Sequence, residues 1–458
     1  MKLTEKYIET SKEFYIRLFR IAVPVILQNV ITTGVNLVDN IMLGQLTETA
    51  LSASTQANQF IGLFMFAIMG ISMGASVLSA RFYGAKDNSS LKKVITIALK
   101  AGLLLGLLFT LADILIPKQI ISLYFQGTET EIIADGVTYL RWSTPTFLLM
   151  ALSLVCTNIL RSAGQTHVPL IASVCGFGIN IGANYIFIFG HFGAPAMGVA
   201  GAALGTVIAR VVEASIILGF FFRDKELQYR PGDFFLPAKE LIPEFIRISV
   251  PVMLSDILLG IGDNVLAIIM GQIGTGFVSA NSITNVVQRV STIFITGLAF
   301  SSCFLTGQVL GERRVKDAQR QGYTYAILGV VVGAIASGII LLIAGPVVNA
   351  YKISPATHEI AMELMDAVGI IIIFRSLNSI LSKGVLRGGG DTKFLLVADM
   401  STMWFLAVPL GALAGLVWKL PAFWVYIFLH CDQIVKAFWC LYRLKSEKWV
   451  KHVKGLEL

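Results

Sequence analysis

The sequence predicts an all-α polytopic membrane protein on three observations. Of its 458 residues, 55% are hydrophobic and 14% are charged, whereas soluble domains contain about 25% charged residues. Charge-free apolar runs recur along the whole chain, and several are longer than the about 20 residues that cross a bilayer core. The second half of the chain also repeats the first. These features predict twelve transmembrane helices in two parallel six-helix repeats around a central cleft.

Apolar runs punctuated by glycine, proline and charge clusters define the helices one by one. The first follows a polar amino-terminal stretch and is too long for a signal-peptide core, so we expect it to remain in the mature protein. The twelve predicted helices lie at about 14–43, 51–80, 91–115, 130–160, 168–189, 195–222, 243–271, 278–309, 319–343, 357–386, 394–416 and 420–442.

The most polar interior stretch, Arg223 to Lys239, contains two prolines and separates six helices from six. We therefore predict an N-lobe at 1–222 with helices 1–6, a cytoplasmic linker at 223–242, and a C-lobe at 243–458 with helices 7–12 and a cytoplasmic tail.

Positive charge predicts the topology of the spans. If the amino terminus is cytoplasmic, the loops and tails of that face hold 28 of the 36 Lys and Arg residues, whereas Lys118, Lys352 and Lys419 lie on the other face. Cytoplasmic loops are enriched in Lys and Arg, so this bias places both termini in the cytoplasm of a plasma-membrane protein. The net charge of +8 is thus a topology signal, and no nucleic-acid partner is expected.

The internal repeat is visible as identical residues at a fixed spacing. Shifting residues 20–84 by 227 positions aligns them without a gap on 247–311, with 17 of 65 positions identical, including Pro24 with Pro251. The segments LRSAGQT at 160–166 and LRGGGDT at 386–392 match at a spacing of 226. Because each half has six spans, the halves insert in the same orientation, as in alternating-access transporters. A channel remains an alternative to this interpretation.

The sequence lacks the motifs of several other classes. It has no GxxxxGK[ST] phosphate loop, no HExxH and no GxSxG, so we expect neither direct use of ATP nor an enzyme, and no cofactor. The five cysteines lie in apolar stretches without paired spacing and are interpreted as buried hydrophobic residues.

Asp39 is the leading functional candidate of the first lobe. It lies near the outer end of helix 1, at a depth where a carboxylate is costly unless it faces a water-filled cavity or binds a cation. A simple interfacial position is the alternative. Neutral oxygens that suit hard cations lie in the same lobe, although asparagines that only bond helices together are an equal alternative. These polar residues are Asn36, Asn40, Asn58, Asn180, Asn184 and Thr206.

Other candidates are less specific. In the second lobe, Asp256 and Asp263 lie on one face of helix 7, where a second cation-attracting site is a hypothesis. Met65 and Met69, with Met73, form a soft stripe suited to varied hydrophobic ligands, although packing is the commoner role. Aromatic residues that would line a cavity for organic cations, none assigned individually, are Phe64, Phe66, Tyr139, Trp142, Phe374 and Trp404.

These features resemble the multidrug and toxic compound extrusion (MATE) transporters nearly end to end. The resemblance rests on the repeat, Pro24, Asp39 and Gly44 of helix 1, and the LRxxGxT segments at 160–166 and 386–392. It extends to GAPAMGVAGAALGT at 193–206 and KSEKWVK at 445–451.

The resemblance implies a secondary antiporter that exports organic, often cationic and amphipathic compounds in exchange for H+ or Na+. It further implies an ion site of Asp39, Asn180, Asn184 and Thr206, with Asn184 standing where relatives often carry Asp, which leaves the coupling ion open. We expect a monomer in the lipid bilayer whose partners are small-molecule substrates. Residues expected to contact substrate are Asn36, Asn58, Met65, Met69 and Asp263.

A lipid-linked oligosaccharide flippase of the same wider superfamily is the alternative function. Such a protein would gather several basic residues in the cleft to bind pyrophosphate. Here the basic residues within spans are dispersed over five helices: Lys100, Arg141, Arg210, Arg289 and Arg375.

Overall fold

The computed structural model describes residues 8–124 and 130–453, and its regular structure there is helical. Sixteen α-helices follow one another along the described chain. They are α1 Lys12–Gly44, α2 Glu48–Gly84, α3 Asn88–Leu115, α4 Pro117–Tyr124, α5 Thr130–Ser143, α6 Pro145–Ser162, α7 His167–Phe189, α8 Val199–Phe221, α9 Ile242–Ile273, α10 Thr275–Gly311, α11 Val315–Asn349, α12 Pro355–Ser379, α13 Thr392–Thr402, α14 Val408–Ala412, α15 Ala422–Leu429 and α16 Cys431–Lys445.

Sixteen helices make twelve spans because several spans are interrupted. The fourth is α5 and α6, which part at Pro145, where the missing amide hydrogen ends one helix and starts the next. The eleventh is α13 and α14 joined by π-helical turns, and the twelfth is α15 and α16, which part at His430. The short α4, outside the predicted spans, lies between the third and the fourth.

Ten of the described helical segments are long and apolar enough to cross a membrane. The tenth and twelfth spans fall outside those ten. The tenth carries several charged side chains, and the twelfth is interrupted at its middle and contains Asp432 and Lys436. Charged side chains inside a membrane are costly and are usually paired or functional. We therefore expect the charges of these two spans to have partners or a role in function.

The helices reproduce the internal repeat at residue level. Helices α2 and α10 are both 37 residues long and begin 227 positions apart. Helices α3 and α11 also begin 227 positions apart. The loops match as well: Lys86 and Arg313 both have positive φ, at 58° and 63°, and so do Gly164 and Gly390, at 86° and 74°. Left-handed backbone favours glycine and is uncommon elsewhere, so equal placement of these turns supports duplication of one structural unit.

The second helix of each repeat is buried on all sides over its final turns. All residues of Ser72–Phe82 and of Gly297–Gly311 are buried. Glycine, alanine and serine are frequent there, which lets neighbouring helices approach closely. A methyl group at Gly70 would collide with the backbone of Met253, and one at Gly74 with Ser249.

The chain forms two compact units, and their limits lie beside the repeat-related prolines. One unit contains Val23–Met253, and the other contains the chain up to Ala22 together with the chain from Leu254. Thus the beginning of α1 packs with the second half of the chain, where Arg17 Nη2 donates to Gln308 Oε1 at 2.7 Å. The predicted limits at 1–222 and 243–458 divide the chain by sequence order, whereas packing divides it within α1 and α9.

The predicted linker is held against α3. Its first 3₁₀ turn, Pro231–Phe235, places Asp233 3.1 Å from the Lys92 ammonium. The hydroxyl groups of Tyr229 and Thr96 lie 3.1 Å apart. Burial raises the pKa of Tyr229 to about 12, so this phenol stays neutral and able to donate a hydrogen bond.

Candidate functional site

Asp39 of α1 and two asparagines of α7, Asn180 and Asn184, meet within the Val23–Met253 unit. Asn184 Nδ2 donates to Asp39 Oδ1 at 2.5 Å, and Asn180 Oδ1 lies 3.5 Å from the same nitrogen. Both asparagines are buried on α7, whereas Asp39, on α1, is half-buried. The four-residue spacing explains this convergence, because residues i and i+4 share one face of a helix.

Two polar atoms beside Asp39 have no hydrogen-bond partner among the described residues. They are the Oδ1 atom of Asn184 and the Nδ2 atom of Asn180. Leaving a buried polar atom unpaired costs about 1–3 kcal/mol, so such atoms tend to mark a site that binds something. A free carbonyl oxygen next to a carboxylate is suited to a hard cation, since such ions favour oxygen ligands.

Tyr139, on α5, completes this group; the sequence analysis named it only among the aromatic residues to which no individual role was given. It is buried, and its hydroxyl lies near Asn58, Thr206 and Asp39. The phenol therefore links α2 and α8 to the carboxylate on α1. Its position in an apolar span gave no signal that distinguished it from other aromatic residues.

A small cavity of about 40 Å³ lies between α1, α7 and α8, and its lining includes Asn36, about one turn before Asp39 on α1. Asn36, Asn180 and Thr206 line one part, and Arg210 and Glu213 line another. A water molecule needs roughly 10–15 Å³ by this measure, so the cavity admits a few waters or one small cation. Sites for drug-sized molecules measure about 300–1,000 Å³, which excludes the cavity as a complete site for an organic substrate.

Arg210 and Glu213 form an ion pair on α8 that the sequence analysis did not identify. Arg210 Nη1 lies 2.6 Å from Glu213 Oε2. Ser173 on α7 donates to Glu213 Oε1 at 3.2 Å and accepts from Gln28 Nε2 at 2.9 Å. The i,i+3 spacing of an arginine and a glutamate within a span was the available sequence signal, because such residues face each other on a helix.

The polar side chains continue toward the end of α6. Gln28 Oε1 accepts a hydrogen bond from Arg161 Nη2, and Arg161 Nη1 donates to Asn158 Oδ1 at 3.3 Å. Arg161, the repeat partner of Arg387, is 5% exposed and therefore lies inside the bundle. Polar groups thus extend from the cavity to the LRxxGxT segment.

The predicted substrate residues of this unit have different surroundings. Asn36 lines the small cavity, and Asn58 is accessible and bonds Tyr139. Met65 and Met69 are half-buried, and the sulfur of Met69 lies 3.9 Å from the amide nitrogen of Asn158. A role for these four residues in substrate binding stays a prediction.

Asp263 belongs to the other unit and is not part of the Asp39 group. It lies on α9, where Arg375 and Lys383 act on it electrostatically. Asp256 lies on the same face of α9, two turns before Asp263, and pairs with Arg387 at 3.2 Å. A second cation site at Asp263 also stays a prediction.

Comparison with known proteins assigns both halves of the chain. The sequence profile of the MatE family matches residues 24–186 and 251–413. The chain belongs to the MatE family. The resemblance inferred from the repeat, Pro24, Asp39 and the LRxxGxT segments is confirmed.

Relatives of this MatE protein match nearly end to end. The probable multidrug resistance protein NorM of Thermotoga maritima is 26% identical over 451 residues, with 97% of this chain and 95% of the relative covered. YisQ of Bacillus subtilis, an uncharacterized transporter, is 22% identical with 96% and 95% covered. The multidrug resistance protein MdtK of Photorhabdus laumondii is 23% identical with 92% of each chain covered.

Solved structures share the fold of this MatE protein. A transporter of the MOP superfamily from Pyrococcus furiosus has a TM-score of 0.83 at 22% identity, with 94% of this chain and 96% of that chain covered. An outward-facing multidrug resistance MATE family transporter has a TM-score of 0.83 at 23% identity and the same coverage. The predicted all-α membrane fold with twelve spans in two lobes is confirmed.

Gly205 holds Asn184 in place in this MatE protein, and its replacement tests the site. A methyl group there would overlap Asn184 Oδ1, which is itself buried and cannot move freely. We expect Gly205→Ala to displace Asn184 and to weaken dye transport in vesicles about tenfold, because forcing an extra methyl group into a packed site typically costs about 1–3 kcal/mol.

Gly219→Ala is the matched control, because it lies on the same helix with nothing within 4 Å of the added methyl group. It should transport like the wild type. Equal transport by Gly205→Ala would show that the position of Asn184 is not critical.

Proposed function

We propose that this MatE protein is a secondary active exporter of the plasma membrane that exchanges H+ or Na+ for small organic compounds. The main supporting observation is the Asp39 carboxylate, which accepts a hydrogen bond from Asn184, a residue whose side-chain oxygen has no partner; a cavity of ionic size is lined by Asn180 of the same group. Relatives named as multidrug resistance proteins support drug-like organic compounds as substrates, and we propose that these are often cationic and amphipathic.

The donor set suits a coupling cation better than a drug. Asp39 supplies one negative charge, and Asn180, Asn184 and Thr206 supply neutral oxygens nearby. A metal cation that loses its water can be coordinated by such oxygens, whereas a proton needs only the carboxylate of Asp39. The organic substrate then binds elsewhere, and Asn58, Met65 and Met69 on α2 are the proposed contacts in this unit.

Binding of the cation at Asp39 would drive the cycle by changing which conformation is favoured. A ligand shifts a conformational equilibrium only by its difference in affinity between the two states. Neutralising Asp39 alters its hydrogen bond with Asn184 and so alters how α1 packs on α7. Pro24 removes one backbone hydrogen bond from α1 and is the proposed bend.

The basic residues of the spans do not favour the flippase alternative. Lys100 lies over the Phe234 ring at 5.3 Å, Arg210 pairs with Glu213, and Arg375 donates to Gln288 at 2.7 Å. Each of these cations has a separate partner in its own unit. A pyrophosphate site would instead require several basic groups directed to one place.

Reconstituted transport under separate gradients tests this function. We expect vesicles containing the purified protein to accumulate an organic cation such as ethidium when an Na+ gradient or a pH gradient is imposed, and ATP to be unnecessary. Uptake should stop when the effective gradient is dissipated with a matching ionophore. Dye movement that ignores both gradients would contradict an antiporter.

Labelling of single cysteines tests the proposed topology, with both termini in the cytoplasm. Lys86 and Arg313 are exposed, occupy equivalent loops of the two repeats, and should both react from the cytoplasmic side after replacement by cysteine in a cysteine-free background. Phe192 is 88% exposed in the loop between α7 and α8, so a cysteine there should react from outside. Reaction of Lys86→Cys and Arg313→Cys on opposite sides would contradict parallel repeats.

A further inference from the structure

Arg210 pairs with one carboxylate of the Val23–Met253 unit and acts electrostatically on a second. Its guanidinium pairs with Glu213 at 2.6 Å and also acts electrostatically on Asp39. The side chains of Arg210 and Glu213 are 30% and 13% exposed, so water screens this pair weakly. One guanidinium therefore faces two possible partners at a place where an unpaired charge is costly.

The cavity gives the guanidinium room to change partner. Arg210 and Glu213 line it together with Asn180 and Thr206, which belong to the surroundings of Asp39. The space of about 40 Å³ that these side chains line also reaches Asn36, which lies on α1 about one turn before Asp39. Arginine has a long, flexible stem and a planar head with five donors, which suits it to exchange between carboxylates.

We propose that Arg210 is an internal counter-ion shared by Asp39 and Glu213, and that Glu213 holds it away from Asp39 when the coupling cation binds. This inference rests on the proposed function, since it concerns the same ion site. When the cation leaves Asp39, Arg210 takes its place. Glu213 then interacts with Arg161, the other guanidinium that acts on it, and Ser173. Arg210 and Glu213 are positioning residues in this scheme.

The second repeat shows which part of this arrangement is structural. At the position equivalent to Arg210 stands Lys436, which pairs with Asp399 on α13. At the position equivalent to Asp39 stands Leu266. A basic residue on the last span is thus common to both repeats, and in the second repeat the carboxylates that act on it are Asp399 and Asp256.

The two partners of the pair have opposite effects on cation binding if they act in this way. Glu213→Gln frees Arg210 to stay with Asp39 and to compete with the cation. Arg210→Gln removes the competitor and leaves Asp39 to the cation. Coupling energies of this kind are about 1–3 kcal/mol, which corresponds to roughly tenfold changes. A purely structural ion pair would give changes in the same direction, because either variant breaks the same bond.

The experiment measures dye export as a function of the coupling cation, with NaCl replaced by choline chloride and, separately, with imposed pH gradients. We expect Glu213→Gln to raise the half-saturating cation concentration about tenfold and Arg210→Gln to lower it about tenfold. The double variant should behave like Arg210→Gln, since Glu213 acts through Arg210. If Arg210→Gln folds poorly, Arg210→Lys is tested instead. It keeps the charge, and its half-saturating cation concentration should remain close to that of the wild type.

Glu244→Gln is the matched control, because Glu244 pairs with Arg247 at 3.2 Å with the same three-residue spacing outside the site. Its half-saturating concentration should not change. If Asp39→Asn abolishes coupling while Glu213→Gln and Arg210→Gln shift in the same direction or not at all, the shared counter-ion is wrong and the proposed function stands. If wild-type export depends on neither cation, both are overturned.

Discussion

Asp39→Asn is expected to reduce gradient-driven dye export to the level of protein-free vesicles. The substitution keeps the shape of the side chain and leaves an oxygen that can accept from Asn184 Nδ2. It removes the charge that a cation neutralises, so cation binding no longer favours one conformation. Insertion should be unaffected, because losing an intramembrane charge lowers the cost of burial. Transport in reconstituted vesicles and thermal unfolding in detergent check the two parts.

Asp366→Asn is a matched control for the same change. Asp366 is an accessible carboxylate on α12 in the other unit and is not part of the Asp39 group. Its variant should export dye at the wild-type rate. Full ion-coupled export by Asp39→Asn would instead remove Asp39 from the mechanism and make Asp263 the next carboxylate to test, since Asp256 is paired with Arg387.

The fold was predictable because its determinants are local or periodic. Apolar runs predicted the spans, and identical residues such as Pro24 and Pro251 predicted the repeat. What the sequence missed lies where a local break competes with an apolar run. Pro145 divides the fourth span, and the twelfth span is divided at His430, although both runs are apolar on either side.

The site was predictable in part for a similar reason. Asn180 and Asn184 share a helix face by spacing alone, and Asp39 was conspicuous as a charge within a span. Tyr139 and Gly205 act through contacts between different helices, and the Arg210–Glu213 pair of α8 reaches the cavity only because α1 and α7 complete its lining. Such contacts depend on how the helices rotate and pack, which a single sequence does not specify.

Lys436→Met is expected to destabilise the protein by about 3–5 kcal/mol, the usual cost of leaving one partner of a buried ion pair alone. The Lys436 ammonium pairs with Asp399, their side chains are 6% and 5% exposed, and Ser255 donates to the same carboxylate. Without Lys436, the Asp399 carboxylate stays buried with one hydroxyl donor. Thermal unfolding of the purified protein in detergent measures the loss, and Lys448→Met, at an exposed position, is the control.

The double variant Lys436→Met/Asp399→Leu separates charge from packing. Replacing both partners of a buried ion pair by apolar residues is often neutral or stabilising, so we expect the double variant to recover most of the lost stability. Arg210, which lies 226 positions before Lys436, acts on Asp39 as well as on Glu213, whereas the second-repeat residue equivalent to Asp39 is Leu266. Lys436 should therefore affect stability far more than cation affinity. A tenfold change in the half-saturating cation concentration for the double variant would contradict this division of roles between the repeats.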